Sequence, residues 1–173
     1  MTEPSCACTR LRLDGSGTQI AGEDHANVHF PPPLIHGVGV MSGLGLSYLY
    51  PLVLPKSSSL VWVGAGLLAL ALAIASSAFR EFARSRNPVP PNRPIHGLMT
   101  AGPFRFTRNP LYLALACLHA GFGLVAGNAW VLLILVPSLL WVRYYVIVRE
   151  EAYLTRRFGQ PYLDYQAQVR RWI

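Results

Sequence analysis

The sequence predicts an all-α integral membrane protein with about four transmembrane helices. Of its 173 residues, 52% are hydrophobic and only 13% are charged, and long apolar stretches follow one another along the chain. A soluble domain usually carries about 25% charged residues. One domain of this length cannot bury so much apolar surface in its own core, so lipid must be part of its solvent.

The four apolar stretches set the predicted helices. They span residues 34–54, 60–79, 110–126 and 129–148. Each approaches the roughly 20 residues that a helix needs to cross the hydrocarbon core. Gly127 and Asn128 form a tight turn between the last two, which predicts an antiparallel hairpin. Small residues in the first two stretches favour close helix packing in lipid, namely Gly39, Gly43, Gly64, Gly66, Ala69 and Ala73.

The chain divides into three parts. Residues 1–33 are mixed polar and are predicted to be a disordered or extended segment that ends at three prolines. Residues 34–79 hold two transmembrane helices, and residues 80–173 hold a polar loop, the hairpin and a C-terminal cytoplasmic helix. Cys6 and Cys8 are too close for an ordinary disulfide, and Cys117 lies in an apolar stretch. Neither a disulfide framework nor a metal site is therefore expected.

The arginines predict the orientation in the membrane. Residues 80–109 contain six of them and residues 149–173 contain five, whereas the two loops on the opposite side contain Lys56 alone. By the positive-inside rule, both termini and the middle loop are cytoplasmic, and an even number of spans agrees. The net charge of +7 then reflects topology and anionic lipids rather than nucleic acid. We expect a bacterial inner membrane protein.

The hairpin brings two polar segments together. Reflection about its turn places Arg105 level with Glu150 and Phe104 level with Glu151, if both helices stay regular. The loop at residues 100–110 then faces the two glutamates at the cytoplasmic boundary of the membrane. Adjacent residues on a helix diverge by about 100°, so at most one of the two acids points straight into a given pocket while the other reaches or braces.

The loop has features that suit an anionic group. Asn109 and Pro110 form a good helix start, with asparagine as N-cap and proline at the first helical position. The amides of such a start favour a carboxylate, and Gly102 allows close backbone approach. Together with the two glutamates, the loop complements a cationic ligand that also carries a carboxylate. From the residues alone, simple interfacial anchors and arginine partners are an equal alternative.

Two motifs resemble a known group of enzymes. Residues 102–113 and the tail from Arg149 to Trp172 are similar to the signatures of membrane methyltransferases related to isoprenylcysteine carboxyl methyltransferase and phosphatidylethanolamine N-methyltransferase. The resemblance runs from about Phe79 to the C-terminus. It implies methyl transfer from S-adenosylmethionine without a Rossmann domain. Asn109 stands where that family often has a histidine.

The resemblance also implies site residues. Those expected to bind the cofactor are His96, Gly102, Pro103, Phe104, Arg108, Asn109, Tyr112, Glu150 and Glu151. His96 is a candidate cofactor contact or proton acceptor, and Arg108 is a second candidate for a catalytic role. Arg143 lies inside the last apolar stretch, where an arginine is costly unless it is paired or faces a polar cavity. It either binds an anionic substrate or reaches to the lipid headgroups.

The implied reaction is in-line transfer of a methyl group to a lipophilic acceptor that enters sideways from the bilayer. The acceptor's nucleophile can be oxygen, nitrogen or sulfur. Two other classes stay open: a membrane reductase that uses a nicotinamide cofactor, and a non-catalytic membrane protein that binds lipid or a partner.

Overall fold

The computed structural model describes residues 30–55, 57–89 and 95–172, and over these residues the protein is all-helical, as predicted. The helices are α1 (Pro32–Leu49), α2 (Ser58–Ser85), α3 (Pro110–Val125), α4 (Ala129–Trp141), α5 (Val148–Phe158) and α6 (Gln160–Gln168). A 3₁₀ turn, Gly102–Arg105, precedes α3, and a π-helical segment, Val142–Ile147, joins α4 to α5. Residues 1–29, with Cys6 and Cys8, lie outside the described residues.

Helix boundaries differ from the prediction where prolines and charges are involved. α1 begins at Pro32 and therefore includes residues that were assigned to the N-terminal extension. It ends at Leu49 rather than at residue 54, because Pro51 disfavours helical backbone in the residue before it. α2 continues beyond the apolar stretch to Ser85, and Arg86 in left-handed backbone (φ +52°) ends it.

The outer surface of the helices is apolar. α2 and the continuous helix Ala129–Phe158 are each long and apolar enough to cross a membrane, and α3 is a shorter apolar helix. Large side chains on several helices point outward, and Met41, Trp62 and Trp141 are each more than half exposed. Soluble proteins rarely expose so much apolar surface, so this pattern is that of a membrane protein.

Glycines allow the helices to approach closely, but only at some of the predicted positions. A Cβ atom at Gly43 of α1 would lie 2.8 Å from Cα of Val131 in α4, and one at Gly64 of α2 would lie 2.9 Å from the carbonyl oxygen of Gly121 in α3. Gly39 is also tightly packed, whereas a Cβ at Gly66 would meet nothing within 4 Å. Ala69 and Ala73 are exposed, so the small-residue prediction is confirmed for three positions of six.

We expect Gly43→Ala to destabilise the protein by about 1–3 kcal/mol, because the new methyl group collides with backbone that cannot move cheaply. Thermal unfolding in detergent micelles measures the effect. Gly45→Ala is the matched control on the same helix, since a Cβ there meets no atom within 4 Å. Equal unfolding temperatures for the two variants would show that α1 and α4 do not pack as described.

The turn between α3 and α4 confirms the predicted hairpin. Gly127 adopts a φ of +61°, and the side chain of Asn128 accepts a hydrogen bond from the Val131 amide at 3.2 Å. The backbone at residues 52–54 lies against this turn, because the Leu54 amide donates to the Gly127 carbonyl at 2.9 Å. The connection between α1 and α2 and the turn of the hairpin therefore meet at one end of the molecule.

The helix after this turn is not regular. Pro137 lies inside α4, and Val142–Ile147 is wound as a π-helix, which rises less per residue than an α-helix. The reflection about the hairpin turn assumed regular helices, so its pairs are wrong. The contacts that the structure shows are of Glu150 with Tyr112, and of Glu151 with Arg108 and Arg171. The broader prediction, that both acids lie against the loop before α3, is confirmed for Glu151, whereas Glu150 meets the first turn of α3 that follows the loop.

Candidate active site

A cavity of about 500 Å³ lies between α2, α3, α5 and the loop before α3. This volume is within the range of small-molecule binding sites. One end is apolar and is formed by α2 and α3, with Ala71, Leu72, Ala75, Ala114, Leu115 and Leu118 in its wall. The other end is polar, with Arg108, Asn109, Tyr112, Glu150 and Glu151. Its two chemically different ends suit a polar and an apolar ligand side by side.

Glu150 is the acid with spare binding capacity. The hydroxyl of Tyr112 donates a hydrogen bond to its Oε1 at 2.7 Å. Among the residues that the structure describes, this is the one hydrogen bond that the carboxylate receives. A carboxylate can accept about four hydrogen bonds, so Glu150 can still bind an ammonium group or hydroxyl groups in the cavity.

Glu151, in contrast, is occupied by arginines. Nε and Nη2 of Arg171 donate to its two carboxylate oxygens at 3.0 and 2.6 Å. The guanidinium of Arg108 lies on the same carboxylate, with Nη1 3.1 Å from Oε1. Hydrogen bonding to Glu151 raises the pKa of Arg171 above its ordinary value. Glu151 therefore braces the site, as expected for one of two adjacent acids.

Arg108 is a largely buried arginine whose hydrogen-bonding capacity is only partly used. Its side chain is only 12% exposed, and Nε and Nη1 have no hydrogen-bond partner among the described residues. The contact of Nη1 with Glu151 is an ion pair by distance but lacks the alignment of a hydrogen bond. Buried donors of this kind are costly unless a ligand or water satisfies them. An anionic group at the polar end would satisfy them.

The loop before α3 is anchored on both sides. Gly102 opens it in left-handed backbone (φ +59°), which explains the glycine. The ring of Phe104 is buried with its centroid 5.9 Å from that of Phe82 on α2. The Phe104 carbonyl accepts a hydrogen bond from the Tyr165 hydroxyl at 2.7 Å, and burial raises the pKa of Tyr165. The loop is thus fixed between α2 and α6.

Asn109 holds the N-cap position of α3, and Pro110 is the first helical residue, as predicted. Its side chain, however, does not cap the helix. The amide Nδ2 donates instead to the carbonyl of Arg171 at 3.0 Å. The C-terminal backbone competes successfully for this side chain, and the start of α3 is left without a side-chain cap.

The structure brings together six of the predicted site residues in the cavity wall: Phe104, Arg108, Asn109, Tyr112, Glu150 and Glu151. It does not bring Gly102, Pro103, His96 or Arg143 there. His96 is exposed and lines an adjoining depression near Asn87, whose Oδ1 accepts from the His96 amide at 2.8 Å. Arg143 is exposed, with its guanidinium 5.5 Å from the centre of the Tyr144 ring.

Sequence reasoning gave no role to four residues that shape the site: Tyr153, Tyr162, Tyr165 and Arg171. The first three line the cavity, and Arg171 holds Glu151. The three-residue spacing of Tyr162 and Tyr165 places both on one face of a helix, which was a usable signal. Gly159, where φ is +61°, and Pro161 are typical of the end of one helix and the start of the next, but no sequence signal showed that this break brings that face to the cavity.

A family model described as "Phospholipid methyltransferase" matches residues 59–161, which is more than half of the chain. The chain belongs to the phospholipid methyltransferase family. The matched segment includes α2, the loop, the hairpin and α5, which supply both ends of the cavity. Tyr162, Tyr165 and Arg171 lie just beyond it. Family membership implies membrane methyltransferase activity.

A protein from another organism is similar to part of this chain. A Haemophilus influenzae protein, described as an uncharacterized protein, is 35% identical to this phospholipid methyltransferase family member over 63 residues. Those residues are 36% of this chain and 100% of the Haemophilus protein. No solved structure matches.

Proposed function

We propose that this protein transfers a methyl group from S-adenosylmethionine to a lipophilic acceptor in the membrane. The supporting observation is a half-buried acid with spare acceptor capacity, Glu150, beside Arg108, whose buried Nε has no hydrogen-bond partner among the described residues, at one end of an otherwise apolar cavity. S-adenosylmethionine carries an ammonium, a carboxylate and a sulfonium, so its charges match those of this polar end.

The residues present fit the cofactor. Glu150 would bind its ammonium or its ribose hydroxyls, and Arg108 would bind its carboxylate. Phe104, Tyr153 and Tyr162 supply aromatic surface in the same wall. When bound, the cofactor supplies an electrophilic methyl group. The protein's own part is to hold this group in line with the acceptor and to exclude water.

The acceptor would occupy the apolar end, between α2 and α3. We propose that it enters sideways from the bilayer, that four helices span the membrane, and that both termini and the polar end of the cavity are cytoplasmic in a bacterial inner membrane. The arginine distribution supports this orientation. The nucleophile can be oxygen, nitrogen or sulfur. His96 and Arg143 do not line the cavity, so the proposal gives them no step.

Calorimetric titration of the purified protein tests this function. We expect S-adenosylhomocysteine to bind and NADPH not to bind. A nicotinamide cofactor needs several cations for its phosphates, and Arg108 is the one arginine in the cavity wall among the described residues. Tight NADPH binding would favour the reductase alternative, and binding of neither would favour a non-catalytic protein. A radiolabelled methyl-transfer assay against membrane lipids and small lipophilic thiols, amines and acids then finds the acceptor.

A further inference from the structure

The C-terminal residues 169–172, which we call the C-terminal strap, lie along the loop before α3. The Arg108 amide donates to the Arg170 carbonyl at 3.1 Å. The Thr107 hydroxyl and the Asn109 side chain both donate to the Arg171 carbonyl, at 3.1 and 3.0 Å. Hydrogen bonds from three consecutive loop residues, 107–109, thus join the strap to the loop. Two of these residues, Arg108 and Asn109, lie in the cavity wall.

The strap is also joined to the helix opposite the loop. The Arg171 guanidinium holds both carboxylate oxygens of Glu151, and the Trp172 side chain packs against a buried cluster that includes Val146 and Tyr153. The strap itself does not line the cavity. The loop and α5 form the walls of the polar end, and the strap supports both walls from the side that faces away from the cavity.

We propose that Arg171 is a positioning residue that keeps the polar end of the cavity able to bind its ligand; this rests on the function proposed above. Glu151 has two oxygens, and Arg171 satisfies both with well-aligned hydrogen bonds. Arg108 lies 3.1 Å from the same carboxylate without a hydrogen bond to it. Because Arg171 already donates to both oxygens of Glu151, Arg108 meets that carboxylate only through the ion pair of Nη1, and its Nε stays available for an anionic group of the ligand.

Without Arg171, we expect Arg108 and Glu151 to form a hydrogen-bonded ion pair. The Arg108 guanidinium would donate two parallel hydrogen bonds to Glu151, which is the bidentate geometry that arginine prefers with a carboxylate. It would then be lost to the ligand, and the strap would lose its charged anchor. The effect is therefore on binding and on the order of the loop, and it reaches the ligand through Arg108.

The test compares Arg171→Ala, Arg171→Lys and wild type in the full-length protein. We expect Arg171→Ala to raise the Kd for S-adenosylhomocysteine and the KM for S-adenosylmethionine about tenfold, the lower end of the range for one charged hydrogen bond, with a much smaller change in kcat. Arg171→Lys, which keeps the charge but not the fork, should lie between the two. Arg156→Ala is the matched control, because Arg156 is an exposed arginine on α5.

A second measurement needs no ligand. Hydrogen exchange of residues 104–109 should be faster in Arg171→Ala than in wild type and in Arg156→Ala. Unchanged exchange with unchanged Kd would overturn the proposal, and so would a fall in kcat with an unchanged KM. If wild type itself binds no S-adenosylhomocysteine, the proposed function fails, and the exchange comparison alone decides whether Arg171 holds the loop.

Discussion

Glu150→Gln is expected to weaken binding of S-adenosylhomocysteine about 100-fold, because a charged hydrogen bond to a ligand contributes roughly 1.5–3 kcal/mol. The substitution keeps the size of the side chain and its ability to accept from Tyr112, which now donates to Oε1 at 2.7 Å. It removes the negative charge that an ammonium group would meet. Calorimetry gives the Kd, and the methyl-transfer assay gives a parallel rise in KM.

Asp164→Asn is the control for this charge change. Asp164 is an exposed acid on α6 that accepts a hydrogen bond from Gln160 at 2.7 Å, and it does not line the cavity. Its variant should bind like wild type. A Glu150→Gln protein that unfolds at the wild-type temperature and binds with wild-type affinity would remove Glu150 from the site.

Ala75→Trp is expected to lower kcat/KM for the acceptor about 100-fold, since displacement of a reactant by about 1 Å can have an effect of this size. Ala75 lies in the α2 wall at the apolar end of the cavity. An indole there would occupy the space of the acceptor while leaving the polar end intact. The Kd for S-adenosylhomocysteine should therefore change little, which separates loss of the acceptor site from loss of the fold.

Ala73→Trp provides the comparison on the same helix. Ala73 is exposed and does not line the cavity, so a large apolar side chain at this position should be accommodated by lipid. Equal activity of the two variants would place the acceptor somewhere other than between α2 and α3. Loss of cofactor binding in Ala75→Trp alone would mean that one ligand occupies the whole cavity.

Local sequence signals were sufficient for the hairpin and for the neighbourhood of the acids. Gly127 and Asn128 specify a turn by their own backbone preferences, and Pro110 specifies a helix start. Because these signals are local, they fixed where α3 begins and where it meets α4. With the length of the helices, they also predicted that Glu150 and Glu151 return to the loop.

Non-local competition explains what the sequence did not predict. Asn109 is a strong N-cap by preference, but the carbonyl of Arg171, distant in the chain, takes its side chain instead. Arg143 was expected either to bind an anionic substrate or to reach the lipid headgroups, and it is exposed and does not line the cavity. Neither the return of the tail at Gly159 nor the π-helical segment leaves a periodic pattern in the residues.

The π-helical segment decides which residue faces Tyr112. A π turn takes up about one residue more than an α turn, so the positions that follow it lag by roughly 100° around the axis. Wound as an α-helix throughout, the same chain would present Arg149 in the direction that Glu150 now has, and a cation would replace the acid. If one residue were deleted from this segment and the rest were wound as an α-helix, the side chains of α5 would keep their present directions around the helix axis. The winding of these six residues, and not their number alone, therefore decides which side chain faces Tyr112.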